Sequence, residues 1–240
     1  MSIDRFSQLT YPIMQAPIGS ASAVELALAV ANCGAFGSLA FTWANPDAAS
    51  QMLQAMHAGT NGMFAINYLL THEPQTLEPA LELGVPAVTF SYGVSESAFD
   101  RVLNAGALLG VQVSSLEGAQ LAENMGADFL ICQGVEAGGH VQSSTPLEHL
   151  LRDAREHCEI PLIAAGGLAT HDDVERVRNL GADIAALGTR FVAARESAAH
   201  PQYQQAIVAA QGADTALTCC FDGGWEYSTS RVLRNSTLQR

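Results

Sequence analysis

Short apolar segments alternate with helix-like segments eight times along this chain. We predict that the apolar segments are β-strands, which run over Pro12–Ile18, Ala35–Ala40, Met63–Leu69, Ala87–Tyr92, Leu109–Ser114, Phe129–Gln133, Leu162–Ala165 and Ile184–Gly188. Strands that are joined by crossover helices pair in parallel. Because no linker, charge run or break in composition interrupts the eight units, the pattern predicts an α/β fold, a (β/α)8 barrel that forms one domain over residues 1–240. An open doubly wound sheet is the alternative.

The segment Ala23–Asn32 shows how the helices between these strands are expected to begin and end. Ser22 is placed to cap the helix, Glu25 follows three residues later as in a capping box, and Gly34 stands just beyond the last turn. The same kind of helix end is predicted at Gly84, Gly106, Gly126 and Gly181. The last two glycines open a repeated Gly-Ala-Asp sequence that we interpret as structural.

The composition narrows the class of protein. A chain of 240 residues, 48% of them hydrophobic and 15% charged, can bury a large core. Its formal net charge of -13 disfavours nucleic acid and anionic membrane surfaces as partners. The first residues lack a basic region followed by an apolar core, and no later segment is apolar for the length of a membrane span. We therefore expect a cytoplasmic protein.

The cysteines and most of the histidines carry no recognisable chemical motif. Five cysteines without C-x-x-C spacing predict reduced thiols, although the adjacent Cys219 and Cys220 could be redox-active. All histidines except His140 fall in predicted helices or turns, without the H-E-x-x-H pattern or paired carboxylates. We therefore predict no metal site. The absence of a G-x-S-x-G turn disfavours hydrolysis through an acyl-enzyme.

The sixth predicted strand ends in a glycine-rich segment, Gln133–His140, that presents one histidine. Function in parallel barrels collects at the carboxyl ends of the strands. Backbone can approach a ligand closely at Gly138 and Gly139, because no Cβ intervenes there. His140 is therefore the candidate acid, base or cation near neutral pH. Glu136 lies in the same segment, where a carboxylate next to a helix end is more often a structural acceptor, and we leave its role open.

Glycines also follow the seventh and eighth predicted strands, within Ala164–Gly167 and Ala186–Arg190. Adjacent loops at these two positions of a barrel form an anion site from exposed backbone N–H groups. Neither G-x-G-x-x-G after the first strand nor G-x-x-x-x-G-K-[ST] is present, so we predict a phosphorylated cofactor that lies across the barrel mouth. Asn67, Gln133 and Gln15–Ile18 are expected at the same rim, where an amide would either bond a flat heterocycle or satisfy the core.

These motifs, in this order, resemble the nitronate monooxygenase family. The resemblance is carried by Pro12–Pro17, Phe64–Asn67, Gln133–His140, Ala164–Gly167 and Leu187–Phe191, and it covers nearly the whole chain. It implies an FMN-binding TIM barrel in which His140 is the catalytic histidine. With the neighbouring rim residues included, the expected FMN contacts are Ala16, Pro17, Ile18, Asn67, Gln133, Gly138, Gly139, Gly166, Gly167, Ala186, Leu187, Gly188 and Thr189.

The activity implied by the resemblance is FMN-dependent oxidation of alkyl nitronates, or of nitroalkanes, by dioxygen to a carbonyl compound and nitrite. The leading alternative is an NAD(P)H-dependent FMN reductase of the enoyl-ACP reductase or quinone reductase type, because such enzymes share the barrel and the histidine loop. A flavinless isomerase or aldolase usually needs a Schiff-base lysine or an acid/base pair, and the chain contains no lysine. A barrel that binds FMN or a partner without catalysis is a third class.

Two features depart from the family pattern. Gln112 stands near the fifth strand, where some members carry a lysine, and the family usually continues well beyond residues 234–237. We therefore expect the C-terminal helical segment of the family to be shortened or absent, which would leave the pocket more open or dependent on a neighbouring subunit. The sequence predicts a last helix over Gln202–Gln211 and a loop over Cys219–Tyr227. A homodimer is compatible with a barrel, although no segment predicts its interface.

Overall fold

The computed structural model describes residues 6–221 and 228–238. Its central sheet contains eight parallel strands: β1 Ile13–Gln15, β2 Gly37–Ala40, β3 Phe64–Leu69, β4 Ala87–Ser91, β5 Leu108–Val113, β6 Phe129–Gln133, β8 Leu162–Ala165 and β9 Ile184–Leu187. A short strand β7, Gly139–His140, lies outside this sheet. The crossover helices are α1 Val24–Asn32, α2 Pro46–Gly59, α3 Leu77–Glu82, α4 Glu96–Asn104, α5 Leu116–Asn124, α6 Leu147–His157 and α7 His171–Asn179, and β9 is followed by α8 Thr189–Val192 and α9 Pro201–Ala209.

The strands are ordered β1-β9-β8-β6-β5-β4-β3-β2, and a parallel bridge between Met14 and Phe36 joins the two outermost strands. The sheet is therefore a nearly closed barrel, which confirms the predicted (β/α)8 fold and excludes the open doubly wound sheet. All eight predicted strands are present. Their carboxyl ends lie at one end of the barrel, which we call the mouth.

A side-chain amide extends the seam between β1 and β2. Gln15 N donates to Phe36 O at 2.8 Å, and beyond that point the Gln15 carboxamide continues the pairing. Its Nε2 donates to Ser38 O at 2.8 Å and its Oε1 accepts from Ser38 N at 3.4 Å. The fully buried Gln15 side chain thus stands in for a peptide group at the seam.

Aromatic rings close the barrel at the end opposite the mouth. Phe36 and Phe129 point into the barrel and contact Phe6, whose ring meets Phe129 edge-on with centroids 5.2 Å apart. A second apolar layer fills the space between the strands and the helices, with Leu39 and Phe90 among its fully buried members. Side chains therefore fill the lower interior of the barrel, and the loops that could approach a ligand closely lie at the mouth.

Four strands end earlier than the sequence predicts: β4 and β5 each stop one residue short, before Tyr92 and Ser114, and β1 and β9 also end early. β1 stops at Gln15 because Pro17 has no N–H with which to extend the ladder, and Ile18 leads into a 3-10 turn over Gly19–Ala21. Gly188 lies beyond β9 and immediately precedes α8. These differences lengthen the loops at the mouth.

The predicted cap of the first helix is wrong. α1 begins at Val24 with Ala23 in the cap position, and no side chain bonds to its first N–H groups. Within the described part of the chain the Ser22 hydroxyl is buried without a hydrogen-bond partner, so Glu25 completes no capping box. The end of the helix is as predicted, because Gly34 follows with a φ of +83°, a conformation that favours glycine.

The repeated Gly-Ala-Asp sequence joins helix ends to strand starts, as predicted. Asp128 accepts a hydrogen bond from Leu109 N at 2.9 Å, and Asp183 accepts one from Leu162 N at 2.8 Å. Each carboxylate therefore bonds to the neighbouring strand that precedes its own along the chain. These aspartates lie at the amino ends of the strands, far from the mouth.

The C-terminal residues form a small sheet that the sequence did not predict. β10, Thr215–Thr218, pairs antiparallel with β11, Ser230–Leu233, and β11 also pairs with β7. The predicted helix over Gln202–Gln211 is present as α9. Of the predicted loop over Cys219–Tyr227, residues 222–227 lie outside the described residues.

Candidate functional site

Four loops meet at one side of the mouth. Gly138, after β6, lies so close to Thr189, after β9, that a Cβ on Gly138 would stand 2.8 Å from Thr189 Oγ1. A Cβ on Gly166, after β8, would stand 3.1 Å from Ala137 N in the loop that follows β6. Gly188 lies beside the residues that follow β1, because its Cβ would be 3.7 Å from side-chain atoms of Ala16 and of Ile18. The structure thus brings most of the predicted rim residues together.

These loops present backbone donors. Gly166 and Gly167 have φ values of +122° and +68°, conformations that favour glycine. Within residues 6–221 and 228–238, the N–H groups of Gly167 and Thr189 donate to no protein group, whereas that of Gly166 faces Ala186 O because Ala165 pairs with Ala186. Thr189 is the first residue of α8, where an N–H has no acceptor inside the helix. Neighbouring unpaired N–H groups of this kind suit an anion.

His140 lies beside these loops, on β7, and its ring is held by serines from the C-terminal sheet. Its Nδ1 is 2.8 Å from Ser228 Oγ and 3.1 Å from Ser230 Oγ. The carbonyl oxygen of His140 accepts from Gln133 Nε2 at 3.1 Å, which fixes its backbone to β6. The imidazole is therefore positioned from two directions.

Burial determines the charge of this histidine. Partial desolvation lowers the pKa of the His140 imidazole, which favours the neutral ring at pH 7. Burial also raises the pKa of the Tyr92 phenol to about 12, although the neighbouring Ser228 hydroxyl offsets part of that effect. Both shifts favour the uncharged forms of His140 and Tyr92 near neutral pH.

The side-chain amides of Gln133 and Asn67, which were predicted at the mouth, make several hydrogen bonds to protein groups. Gln133 Oε1 accepts from Gln142 N at 2.8 Å, so with its bond to His140 the Gln133 side chain holds the chain on both sides of residue 141. Asn67 Nδ2 contacts Thr89 O, Thr89 Oγ1 and Ser91 Oγ at 3.0 to 3.2 Å. Asn67 lies on β3, across β4 and β5 from the loops that meet at Gly138. The Asn67 Oδ1 atom remains available as an acceptor.

Two charged side chains border the loop that follows β6. Glu136 Oε2 accepts from Leu147 N at 3.0 Å at the first turn of α6, so it acts as the structural acceptor that the sequence suggested. Arg231, on β11, donates through Nη2 to Val135 O at 2.8 Å. In the described chain its Nε is buried without a hydrogen-bond partner, and its guanidinium makes no ion pair. Arg231 therefore adds a positive charge beside this loop.

The described residues outside the mouth give little support for thiolate chemistry or for a metal site. All five cysteines are free thiols, and burial raises the pKa of Cys132 to about 12 and that of Cys158 to about 11, which disfavours thiolate chemistry. Over the described ranges, no three histidine, cysteine or acidic side chains are grouped to hold a metal ion. In the same ranges no helix has the length and apolar character that crossing a membrane requires.

Sequence reasoning missed Ser228, Ser230 and Gln142. The two serines contact His140 across 88 and 90 residues of chain, so no local motif links them. The sequence there reads Ser-Thr-Ser-Arg-Val-Leu, with three consecutive hydroxyl residues, so no alternation indicated a strand over residues 228–233. Gln142 lies beyond the motif that ends at His140, so that motif gave no reason to select it.

Comparison with known proteins agrees with this geometry. The family model described as nitronate monooxygenase matches residues 2–82 and 74–240. A probable nitronate monooxygenase from Bacillus subtilis (strain 168) is 32% identical, over 90% of this chain and 75% of its own length. FabK from Thermotoga maritima has a TM-score of 0.91 at 29% identity, over 99% of this chain and 75% of that one. A nitroalkane oxidase from Streptomyces ansochromogenes has a TM-score of 0.89 at 29% identity, over 100% and 80%.

Proposed function

Because the chain belongs to the nitronate monooxygenase family, we propose that this oxidoreductase holds FMN at the barrel mouth and oxidises small nitronates or nitroalkanes. The observation that carries the proposal is the meeting of the loops after β6, β8 and β9, seen at Gly138 with Thr189 and at Gly166 with Ala137, next to His140. It supplies an anion cradle and a proton-transfer group at one place.

The residues at the mouth fit a phosphorylated flavin. The unpaired N–H groups of Gly167 and Thr189 suit its phosphate, and a Cβ at Gly138 or Gly167 would fill the space between the loops. Arg231 adds a positive charge nearby. Asn67 Oδ1 and the second N–H of Gln133 Nε2 are suitable partners for the polar edge of a flat ring. We assign the cofactor contacts to the full set of rim residues predicted from the sequence.

When bound, the flavin supplies the acceptance of electrons from the substrate and their transfer to dioxygen. We assign the transfer of the substrate's proton to His140. Its neutral ring can remove the acidic proton from the α-carbon of a nitroalkane, while Ser228 and Ser230 hold Nδ1 and fix the direction of the ring. A nitronate has already lost that proton, so its oxidation does not need His140 as a base.

A second candidate is an NAD(P)H-dependent reductase on the same barrel, which the likeness to FabK favours. The geometry of the mouth suits both reactions, since each needs the flavin cradle. They differ in the electron donor: a nitro compound in the first case and a nicotinamide in the second.

One experiment separates these functions. We expect the purified protein to show a flavin absorption spectrum, and acid extraction to release FMN. Anaerobic mixing with propionate 3-nitronate is expected to bleach that spectrum rapidly, and admission of dioxygen should restore it with formation of nitrite. Bleaching by NADH or NADPH alone would support the reductase. A protein that binds no flavin under any loading condition would contradict both.

The glycine cradle can be tested by replacing Gly167 with alanine. Gly167 has a φ of +68°, and an added Cβ would stand 2.9 Å from Glu136 Cβ. The close contact with Glu136 must displace the loop after β8, which presents the N–H groups to the phosphate, and about 1.4 kcal/mol of lost binding free energy corresponds to a tenfold change in affinity. We therefore expect FMN affinity to fall by about tenfold or more, measured by fluorescence titration of the deflavinated protein.

The matched control for Gly167→Ala is Gly84→Ala. Gly84 has a similar φ of +77°, an added Cβ would meet no atom within 4 Å, and the residue follows α3 away from the mouth. This variant should have lower stability but unchanged FMN affinity. Equal FMN affinity in Gly167→Ala and wild type would remove the loop after β8 from the proposed site.

A further inference from the structure

Gln142 connects three barrel strands to the histidine loop. Its Oε1 accepts from Tyr92 N, after β4, at 3.2 Å and from Gln112 Nε2, on β5, at 3.1 Å. Its own backbone N–H donates to Gln133 Oε1, on β6, at 2.8 Å. One residue therefore ties the segment after His140 to the ends of β4, β5 and β6.

These contacts reach His140 through Gln133. The Gln133 side chain donates to the carbonyl of His140 at 3.1 Å with the same carboxamide that accepts from Gln142. Without the hydrogen bonds that Tyr92 and Gln112 donate to the Gln142 side chain, the segment after His140 is no longer attached to β4 and β5. Only the Gln133 side chain then holds that segment. The position of His140 then depends on a single carboxamide.

Backbone strain at Tyr92 gives a second reason to consider Gln142. Tyr92 has a φ of +64°, which non-glycine residues with large side chains rarely adopt, and its N–H bonds to Gln142. Ser228, which neighbours the Tyr92 phenol, lies 2.8 Å from His140 Nδ1. Strained residues are found where the surroundings hold them for a function. Gln142 thus supports the backbone of His140 through Gln133. It also bonds to Tyr92, which lies next to Ser228, a hydrogen-bond partner of the His140 ring.

We propose that Gln142 is a positioning residue for His140: its carboxamide joins Tyr92 and Gln112 to the histidine loop and thereby sets the direction of the imidazole. The inference rests on the proposed function, since it gives His140 a catalytic task. Gln142 itself contacts neither substrate nor cofactor in this proposal.

The test uses Gln142→Ala, which removes the acceptor, and Gln142→Glu, whose carboxylate can accept from the same two donors. Gln112→Ala removes one donor only and serves if Gln142→Ala does not fold. The matched control is Gln204→Ala, because Gln204 is also half-buried and bonds one backbone carbonyl, Ala194 O, at 2.8 Å. All variants are measured as the full chain, with FMN added.

The first readout is the NMR signal of the His140 ring nitrogens in 15N-labelled protein, assigned by its loss in a His140→Asn variant. We expect one dominant tautomer in wild type, a mixed or broadened signal in Gln142→Ala, a smaller change of the same kind in Gln112→Ala, and recovery in Gln142→Glu. The second readout is turnover of a nitroalkane. Because a misplacement of about 1 Å can lower a rate by about 10²-fold, kcat should fall about 10- to 100-fold in Gln142→Ala, with a smaller change in KM.

The outcomes separate this inference from the proposed function. If the His140 signal of Gln142→Ala equals that of wild type and of Gln204→Ala, while the wild-type enzyme turns over, Gln142 is not a positioning residue. If the wild-type protein oxidises neither nitro compounds nor NAD(P)H, but Gln142→Ala still disturbs the His140 signal, the positioning holds and the proposed function is wrong. Failure of Gln142→Glu to recover the signal would also count against the inference.

Discussion

Replacing His140 with asparagine is expected to lower kcat/KM for a neutral nitroalkane by about 10²- to 10⁴-fold, the usual contribution of a general base. Asparagine keeps a polar side chain of moderate size but cannot take up the α-proton. Because His140 lies beside the glycine cradle and contributes none of its unpaired N–H groups, FMN should remain bound. Oxygen consumption and nitrite release measure the activity, and the flavin spectrum measures cofactor content.

The role of His140 as a base can be tested further by comparing nitronate with nitroalkane and by varying the pH. A nitronate supplied ready-made needs no base, so its oxidation should fall much less in His140→Asn than that of the nitroalkane. In wild type, activity toward the nitroalkane should rise with pH as the imidazole loses its proton. Since burial lowers the pKa of His140, the inflection should lie below the usual histidine range and be absent from the variant.

His157→Asn is the control, because His157 is exposed at the end of α6 and bonds only the nearby Asp153 carbonyl. It should leave both activities and the pH profile unchanged. Equal loss of nitroalkane and nitronate oxidation in His140→Asn would indicate that the histidine binds substrate and does not act as a base. Full activity of His140→Asn toward both substrates would remove His140 from the mechanism.

Local sequence patterns were sufficient to predict the barrel. Each strand is a short apolar run closed by a turn residue, and each such run, for example Phe129–Gln133, carries its own signal. The loop glycines were predictable for the same reason, because Gly166 and Gly167 lie directly after a strand. Where the prediction failed, at Ser22, the hydroxyl was buried by packing that the neighbouring sequence does not reveal.

Contacts between distant parts of the chain account for what could not be predicted. β11 pairs with β7 across about ninety residues, and a four-residue strand has little periodicity of its own. Gln15 and Gln133 were expected at the mouth, but whether each would face a ligand or bond the backbone depends on neighbouring strands. The chemistry of His140 was therefore visible in the sequence, whereas the groups that position it were visible only in the fold.

Replacing Phe129 with alanine is expected to have the largest effect on stability. The ring is fully buried in the barrel, meets Phe6 edge-on, and lies over Gly110 on the neighbouring strand. A Cβ on Gly110 would stand 2.3 Å from Phe129 Cζ, so the glycine leaves the space that the ring fills. Truncation of a buried phenylalanine lowers the free energy of unfolding by about 3–5 kcal/mol. Urea unfolding followed by circular dichroism measures it.

The packing of the Phe129 ring against Gly110 can be tested more strictly by combining substitutions at both residues. Gly110→Ala alone should destabilise the protein by about 1–3 kcal/mol, because the rigid ring cannot move away from the new methyl group. Combined with Phe129→Leu, the same change should cost less than it does in wild type, with a coupling free energy of about 0.5–3 kcal/mol. Val208→Ala, at a side chain that is 75% exposed, should change stability by no more than about 0.5 kcal/mol. Strict additivity of Gly110→Ala and Phe129→Leu would show that the ring does not occupy the space above Gly110.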